Sequence, residues 1–321
     1  MSVGPRPEPN AVRTVAIVGA GVIGGGWAAH FLRMGFDVVA WDPGTDAQAR
    51  LDRLVDTAWP SLERLGLADG ARRDRLAFAD SLEDALSHAD FVQESSPESL
   101  GAKISVLAAI DRVARPGVVV GSSTSGFGMT AMAVDCATPG RFVVGHPFNP
   151  PYLIPLVEVV GGRDTDPETV GWAEKFYTQA GKVCLTLEQE VAGFVGNRLQ
   201  EALWREALHM IDSGQATAQQ IDDSIVYGPG LRWALMGPIL TFHLAGGQGG
   251  MAHMLDHFAP ALLEPWTRLD APSLTPELRD VVVAAAVEAA GGQSVAELEQ
   301  RRDAFLVDLL LLLEKHRPAH G

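Results

Sequence analysis

The feature that most constrains what this chain can fold into is an apolar segment, Thr14–Val18, that runs straight into the turn Gly19-Ala20-Gly21-Val22-Ile23-Gly24. A helical pattern follows Gly24, and a second apolar segment, Val38–Trp41, ends in Asp42, 18 residues after Gly24. A strand, a G-x-G-x-x-G turn, a helix and a second strand ending in an acid are together typical of a dinucleotide-binding unit. The sequence therefore predicts such a unit near its start.

Each part of this unit has a physical role. The first glycine permits a tight turn, the second lets a pyrophosphate approach the backbone, and the third lets the helix pack closely on the strand. The N-terminus of the helix offers unpaired N–H groups to the phosphates. A carboxylate at Asp42 can accept hydrogen bonds from ribose hydroxyls and would repel a 2′-phosphate, which favours NAD over NADP. The cofactor contacts predicted from this unit are Gly19, Gly21, Val22, Ile23, Gly24 and Asp42.

Composition narrows the class of protein. A chain of 321 residues with 47% hydrophobic residues is long enough for two domains with sizeable cores. A net charge of −15 argues against a nucleic acid partner, because phosphate binding requires clustered Lys and Arg. Cys136 and Cys184 have no metal-type spacing and form no disulfide framework, and the polar start carries no secretory signal. We therefore expect a cytoplasmic protein with no membrane span.

The first half of the chain alternates short apolar segments with helical patterns. This alternation predicts a doubly wound parallel sheet with helices on both faces, that is, an N-terminal Rossmann domain of class α/β. Residues 1–12 are expected to be a disordered tail, and residues 13–190 to form the NAD-binding domain. The predicted strands are Thr14–Val18, Val38–Trp41, Leu76–Phe78, Phe91–Glu94, Val118–Gly121, Phe142–Gly145, Leu156–Val159 and Lys182–Leu187.

The pattern changes near Glu190, after which apolar residues recur at helical spacing. We expect residues 191–321 to form an all-helical domain for substrate binding and dimerisation. Gly214 is predicted to end its first helix and Thr217 to cap the next. The predicted helices are Phe194–Asp212, Leu240–Ala245, Gly250–Phe258, Pro276–Ala290 and Val295–Lys315.

A histidine and a glutamate stand where acid–base chemistry would need them. His146 follows an apolar strand, and Glu158 lies twelve residues later on the next strand. Oxidation of an alcohol needs a base for the hydroxyl proton, and histidine serves this purpose near neutral pH. A carboxylate on the other ring nitrogen fixes the tautomer and stabilises the imidazolium. The pair is therefore the predicted catalytic centre.

A set of motifs in a fixed order resembles the L-3-hydroxyacyl-CoA dehydrogenase superfamily over nearly the whole chain. The motifs are the Gly19–Gly24 turn, Glu98 with Lys103, Ser122-Ser123-Thr124-Ser125, His146-Pro147-Phe148-Asn149-Pro150, Glu158, Gly193-Phe194-Val195-Gly196-Asn197-Arg198 and Met236-Gly237-Pro238.

The resemblance implies roles for these residues and a homodimer built through the helical domain. It makes His146 the base and Glu158 its partner. It also implies that Ser125 and Asn197 hydrogen-bond the reacting oxygen of a small 3-hydroxy acid. The cofactor contacts that it implies are Asp42, Glu98, Lys103 and Ser123.

Within the family, Arg232 and Trp233 before Met-Gly-Pro, together with neighbouring segments such as Pro265-Trp266-Thr267, resemble the carnitine 3-dehydrogenase branch. This resemblance implies NAD-dependent oxidation of L-carnitine to 3-dehydrocarnitine. A quaternary ammonium group donates no hydrogen bonds and needs aromatic faces, and Arg232 could bind the free carboxylate, although it could also pair with Asp222 or Asp223. The residues predicted to bind substrate are Arg232, Trp233, Trp204, Phe194 and Tyr152.

Three alternatives stay open from the sequence. The chain also resembles L-gulonate 3-dehydrogenase, and a short-chain 3-hydroxyacyl-CoA is another possible substrate. A non-catalytic NAD-binding structural protein is the third alternative, but it would not need both His146 and Glu158.

His253 and His257 have the i,i+4 spacing of metal ligands but no convincing third ligand, so we predict no metal site.

Overall fold

The chain divides into two compact units, of which the first ends at Val195 and the second begins at Gly196. The computed structural model describes residues 6–258, 267, 270 and 272–316. The sequence predicted the boundary between residues 190 and 191. The division falls slightly later because residues 191–195 stay bonded to the first unit, for example through the Val195 N–H.

An eight-stranded sheet forms the centre of the first unit, in the order β3-β2-β1-β4-β5-β6-β7-β8. Because β1 lies between β2 and β4, the strand order reverses there and leaves a crevice at the carboxyl ends of β1 and β4. The strands are β1 Thr14–Val18, β2 Asp37–Trp41, β3 Leu76–Phe78, β4 Phe91–Glu94, β5 Val119–Ser122, β6 Phe142–Pro147, β7 Leu156–Gly161 and β8 Val183–Leu187.

The sheet is mostly parallel, with one exception that corrects the sequence prediction. Strand β7 pairs with β6 in antiparallel register and with β8 in parallel register. Residues 148–155 connect β6 to β7, and a parallel connection needs a crossover of a dozen or more residues. The short connection therefore forces β7 to run back beside β6, which sets His146 opposite Glu158.

Two apolar layers cover the sheet, one on each face. In β1, Val15 and Ile17 enter one layer while Ala16 and Val18 enter the other, as expected when successive side chains alternate. Trp27 lies in the first layer, stacked on Phe31 with ring centroids 5.1 Å apart. The helices of this unit are α1 Val22–Arg33, α2 Ala47–Leu65, α3 Leu82–Leu86, α4 Leu100–Val113, α5 Met129–Met132 and α6 Pro167–Gln179.

Residues 6–12 depart from the predicted disordered tail. A short 3-10 helix spans Pro9–Ala11, and Val12 is buried in the sheet core. The indole Nε1 of Trp172 donates to the Pro7 carbonyl at 2.6 Å, and Arg6 donates to Thr169 Oγ1 at 2.8 Å. The segment is ordered because α6 offers it both apolar surface and hydrogen-bond partners. Residues 1–5 of the predicted tail lie outside the described residues.

The regular secondary structure in the described part of the second unit is all helical. Its first helix begins at Gly196 and not at Phe194 as predicted, because Phe194 has a left-handed backbone with φ of 53°. Thr217 caps α8 through a capping box with Gln220, as the sequence predicted. The helices are α7 Gly196–Asp212, α8 Ala218–Val226, α9 Pro229–Trp233, α10 Pro238–Ala245, α11 Gly250–Phe258, α12 Pro276–Ala290 and α13 Val295–Glu314.

No single helix in the described part of the chain is long and apolar enough to cross a bilayer. Helices α12 and α13 reach that length and composition only as a pair, with a bend of 64° between them.

Candidate active site

The glycine turn has the geometry that a bound pyrophosphate requires. Gly19 has φ of +98°, and a Cβ there would lie 2.5 Å from the Ser95 carbonyl oxygen. A Cβ at Gly24 would lie 1.9 Å from the Gly19 carbonyl oxygen, so close packing of α1 on the turn excludes any side chain. A Cβ at Gly21 would meet no atom within 4 Å. Gly21 therefore faces open space at the N-terminus of α1, where unpaired N–H groups can receive phosphate oxygens.

Asp42 lies at the end of β2, beside this turn. Its Oδ2 accepts the Ala20 N–H at 2.7 Å and its Oδ1 accepts the Gly44 N–H at 2.8 Å. The Arg50 guanidinium lies 3.8 Å from Oδ2. These bonds orient the carboxylate, and its remaining lone pairs can accept ribose hydroxyls. The residues of this corner thus fit an adenosine diphosphate ribose.

Lys103, a predicted cofactor contact, lies instead in a buried polar cluster at the carboxyl end of β4. Its Nζ lies 3.1 Å from Glu94 Oε1, and both side chains are almost fully buried. The same carboxylate accepts the Ser96 N–H at 2.6 Å and the Ser122 hydroxyl. Burying a charged pair requires such additional hydrogen bonds. Glu94 therefore joins the ends of β4 and β5 while Lys103 compensates its charge, and a direct cofactor contact of Lys103 stays a prediction.

Glu98 fixes the loop that carries Ser125. Its Oε1 accepts the Thr124 hydroxyl at 2.7 Å, the Ser125 N–H at 2.8 Å and the Gly126 N–H at 3.2 Å. Its Oε2 lies 3.5 Å from Lys103 Nζ. Ser125 is thus held from the neighbouring β4 connection, at the same edge of the sheet as the glycine turn.

Ser123 belongs to a buried hydrogen-bond network under the same edge. Its Oγ accepts the Trp27 indole N–H at 3.1 Å and the Gln93 amide N–H at 2.8 Å. The other end of Gln93 accepts the Tyr177 hydroxyl at 2.6 Å. Nothing in the sequence motif indicated this network, because its members come from four separate elements. The side chain is 7% exposed, and its predicted contact with the cofactor is untested.

His146 and Glu158 form a buried pair across the antiparallel β6–β7 contact. The imidazole Nδ1 lies 2.7 Å from Glu158 Oε2. Glu158 is 0% exposed and His146 is 3% exposed. A carboxylate at Nδ1 holds the ring in the tautomer whose Nε2 carries a lone pair. Within the described residues, Nε2 has no hydrogen-bond partner, so this nitrogen can accept a proton from a ligand.

Three further groups lie against this pair, and none of them was predicted there from the sequence. Phe148 and Phe194 lie against the imidazole with ring centroids 5.0 and 5.3 Å away, and they make its surroundings apolar. The Val195 N–H donates to Glu158 Oε1 at 2.9 Å. A backbone donor has no sequence signature, so it could not have been found from residue types. Phe194, which was predicted to bind substrate, is 1% exposed, and its contact with substrate stays a prediction.

The other predicted substrate residues are distributed over both units. Tyr152 packs against the first apolar layer. Arg232 is exposed, and it forms no ion pair with Asp222 or Asp223 in the part of the chain that the structure describes. Trp204 and Trp233 are 55% and 36% exposed, so neither is a packed core residue. Asn197 lies in the first turn of α7.

Among the described residues, no group of three or more His, Cys, Asp or Glu side chains is arranged to hold a metal ion. His253 is exposed, whereas the side chain of His257 lies outside the description.

Comparisons with known proteins identify relatives of this chain. Residues 14–191 match the NAD binding domain of 3-hydroxyacyl-CoA dehydrogenase, and residues 193–278 match its C-terminal domain. The chain is 62% identical to an L-carnitine dehydrogenase of Streptomyces coelicolor over 94% of this chain and 95% of that protein. It is 62% identical to an L-carnitine dehydrogenase of Streptomyces griseus over 94% of this chain and 90% of that one.

A solved structure shows the same architecture. It is a 5-formyl-3-hydroxy-2-methylpyridine 4-carboxylic acid 5-dehydrogenase, described as an NAD+ dependent dismutase. The TM-score is 0.82 at 28% identity, and the match covers 94% of this chain and 99% of that one. From these matches and the site geometry, the chain belongs to the 3-hydroxyacyl-CoA dehydrogenase family and is an NAD-dependent 3-hydroxy acid dehydrogenase.

Proposed function

We propose that this enzyme oxidises the 3-hydroxyl of L-carnitine to 3-dehydrocarnitine, with His146 as the general base. The observation that carries the proposal is the buried His146–Glu158 pair, whose Nδ1–Oε2 distance is 2.7 Å. The choice of L-carnitine is supported by the names of the relatives that are 62% identical over nearly the whole chain. Both lines of support concern different parts of the proposal, so they can be tested separately.

In the proposed reaction, Nε2 of His146 takes the hydroxyl proton while the Glu158 carboxylate stabilises the imidazolium. NAD, when bound, accepts the hydride. Phe148 and Phe194 exclude water from the imidazole, which strengthens its interaction with the buried carboxylate. Because oxidation releases a proton, alkaline pH favours the forward direction.

Two residues are proposed to hydrogen-bond the reacting oxygen. Ser125 is supported by the hydrogen bond that its backbone N–H donates to Glu98, which fixes the position of the residue. Asn197 rests on the motif that it shares with the family. Removing one hydrogen-bond donor to an oxygen that gains charge in the transition state commonly lowers kcat by about 10²- to 10³-fold, which corresponds to about 3 kcal/mol.

For substrate binding, we propose that Arg232 holds the carboxylate of carnitine and that exposed aromatic rings receive its quaternary ammonium. Arg232 is supported by its exposure, and Trp204 and Trp233 by exposed fractions of 55% and 36%. A guanidinium matches a carboxylate with two parallel hydrogen bonds, and an indole ring attracts a cation that cannot donate any. We also propose Tyr152 and Phe194 as substrate contacts; Phe194 is 1% exposed.

The test of function follows NADH formation with NAD and L-carnitine, beside D-carnitine, L-gulonate and 3-hydroxybutyryl-CoA. We expect turnover of L-carnitine alone. Turnover of the sugar acid or the thioester in its place would refute the substrate assignment and leave the NAD chemistry intact.

The role of His146 as the base is tested by substitution, and His146→Gln should lower kcat at least about 10³-fold. The control is His88→Gln, since His88 is exposed. Near-normal kcat in His146→Gln would remove the assigned base.

The role of Arg232 is tested in the same assay. Arg232→Ala should raise KM for carnitine by about 10- to 100-fold with little change in KM for NAD, because a charge-assisted bidentate contact is lost. Arg279→Ala is the matched control, since Arg279 is an exposed arginine of the same unit. An unchanged KM for carnitine would exclude the contact.

We further propose a cytoplasmic homodimer that forms through the second unit. Support comes from large apolar side chains that this unit exposes on α10, including Ile239 at 73% and Leu244 at 58%. Clustered exposed apolar residues of this kind usually mark an interface. Light scattering should give the mass of a dimer, about twice the 34.2 kDa of one chain. A mass of one chain would contradict the proposal.

A further inference from the structure

A buried lysine lies beneath the loop that joins the two strands of the catalytic pair. Lys182, immediately before β8, is 4% exposed. Its Nζ donates to the Ile154 carbonyl at 3.1 Å and also to the Pro151 carbonyl. The same ammonium lies 4.9 Å from the centroid of the Trp27 ring. Lys182 therefore contacts both the loop and the buried aromatic layer of the sheet.

The loop needs these two bonds because of its local structure. Residues 150–154 form one helical turn, in which the N–H groups of Leu153 and Ile154 both donate to the Pro150 carbonyl at 3.0 Å. The carbonyls at the end of such a turn have no partner within it, and a buried carbonyl without a partner is costly. The Pro151 ring also abuts α1, so the turn cannot move outward to reach water without losing this packing.

We propose that Lys182 is a positioning residue for catalysis: its side chain fixes the 148–155 loop and thereby the facing positions of His146 and Glu158. The first of these residues lies two positions before the loop, and the second lies three positions after it. The proposal rests on the proposed function, in which this pair transfers the substrate proton.

The groups around Lys182 make its contribution depend on pH. Burial and the nearby Arg33 on α1 lower the pKa of Lys182 to about 7, while Cys184 on β8 opposes this. Burial also holds the pKa of His30, on α1, well below 6.5, and raises the pKa of Tyr177, on α6, and of Cys184. These shifts move the titration of His30, Tyr177 and Cys184 away from pH 7. An ammonium makes stronger hydrogen bonds than a neutral amine, so the loop is held best below pH 7.

The kinetic test compares Lys182→Met, which keeps an unbranched side chain one atom shorter and removes its donors, with wild-type enzyme from pH 6 to 9. At pH 6 we expect kcat with L-carnitine to fall about tenfold, the effect of losing charge-assisted hydrogen bonds, with KM for NAD unchanged. At pH 9 the difference should shrink to about twofold. A ratio of kcat values that stays constant over this range would indicate packing alone and overturn the proposal.

A matched control is Lys175→Met, because Lys175 is an exposed lysine on α6. It should match wild-type kcat at every pH. If it reproduced the pH-dependent ratio of Lys182→Met, the effect would not belong to the buried site, and the proposal would fail.

Hydrogen exchange tests the loop without any substrate, so it separates a failure of this inference from a failure of the carnitine assignment. In Lys182→Met at pH 6, the amides of Leu153 and Ile154 should exchange at least about tenfold faster than in wild type, while β1 amides stay unchanged. Equal exchange in both proteins would overturn the proposal. If Lys182→Met does not fold, hydrogen exchange of the wild type tests the proposal. The protection of the Leu153 and Ile154 amides should fall relative to that of the β1 amides from pH 6 to 9. Equal changes in the two sets of amides would refute the proposal.

Discussion

Replacing Lys182 with methionine should abolish a gain in stability that the wild-type enzyme shows between pH 7 and 9. Burial lowers the pKa of Lys182 from 10.5 to about 7. Between these values the unfolded chain binds a proton that the folded chain has released. Stability rises with pH wherever the unfolded state binds more protons, so the wild-type free energy of unfolding increases through this window. Below pH 7 both states are protonated, and the penalty of burying the charge is fully present.

The magnitude follows from the two pKa values. A single group with a pKa of about 7 when folded and 10.5 when unfolded contributes about 2 kcal/mol of additional stability between pH 7 and 9. The Cys136 thiol opposes this contribution at higher pH. The pKa of Cys136 is raised to about 12, so its unfolded form ionises first and stability then falls as pH rises. This contribution is common to wild type and Lys182→Met, and it cancels in their difference.

The assay is urea unfolding at pH 7, 8 and 9, at one fixed protein concentration, followed by tryptophan fluorescence. Four of the seven tryptophans, Trp27, Trp41, Trp59 and Trp172, belong to the sheet unit, so most of the emitting side chains lie in the unit that contains Lys182. Wild type should gain about 2 kcal/mol relative to Lys182→Met between pH 7 and 9, and Lys175→Met should follow wild type. The reasoning is refuted if wild type and Lys182→Met change equally with pH.

Three further predictions follow from the geometry. Glu158→Gln should lower kcat by about 10²–10⁴ with little change in KM for NAD, measured by NADH formation, because the imidazolium loses its carboxylate; a kcat within threefold of wild type would contradict this. Gly21→Ala should raise KM for NAD about tenfold at an unchanged melting temperature, because its Cβ would meet no protein atom within 4 Å. Gly24→Ala should lower the melting temperature, because its Cβ would lie 1.9 Å from the Gly19 carbonyl oxygen. Equal melting temperatures of the two variants would contradict this prediction. Arg141→Met should destabilise the protein by about 3–5 kcal/mol in urea unfolding, because it leaves Asp111 as a buried unpaired charge; a loss below 1 kcal/mol would show that water reaches this carboxylate.

Local sequence patterns were sufficient for most of the elements. Strand β1 has the predicted bounds, and a helix accompanies the glycine turn as predicted, although it begins at Val22 and not after Gly24. Alternating and 3.6-residue periodicities act within a few residues, so they locate such elements. The pairing of His146 with Glu158 was also predicted, from their spacing on successive strands. The start of α7 was predicted two residues too early, because the left-handed backbone of Phe194 is set by the neighbouring core and not by residue type.

The partners of individual polar side chains could not be predicted in the same way. Ser123 and Lys103 lie in motifs that favour cofactor contacts, yet each bonds to protein groups from other strands. The ordered position of residues 6–12 depends on α6, more than 150 residues away in sequence. Such contacts arise only when distant segments pack together.

The sequence by itself determined the dinucleotide-binding turn, the succession of strands and helices, and the residue types that an NAD-dependent alcohol oxidation needs. Each of these depends on short-range spacing, which the backbone geometry of strands and helices converts directly into position. Only the tertiary structure decided that β7 runs back beside β6, that the Val195 N–H donates to Glu158, and that Lys182 lies under the 148–155 loop. These features depend on burial, because a carboxylate or an ammonium removed from water must bond to whatever groups the fold brings near it.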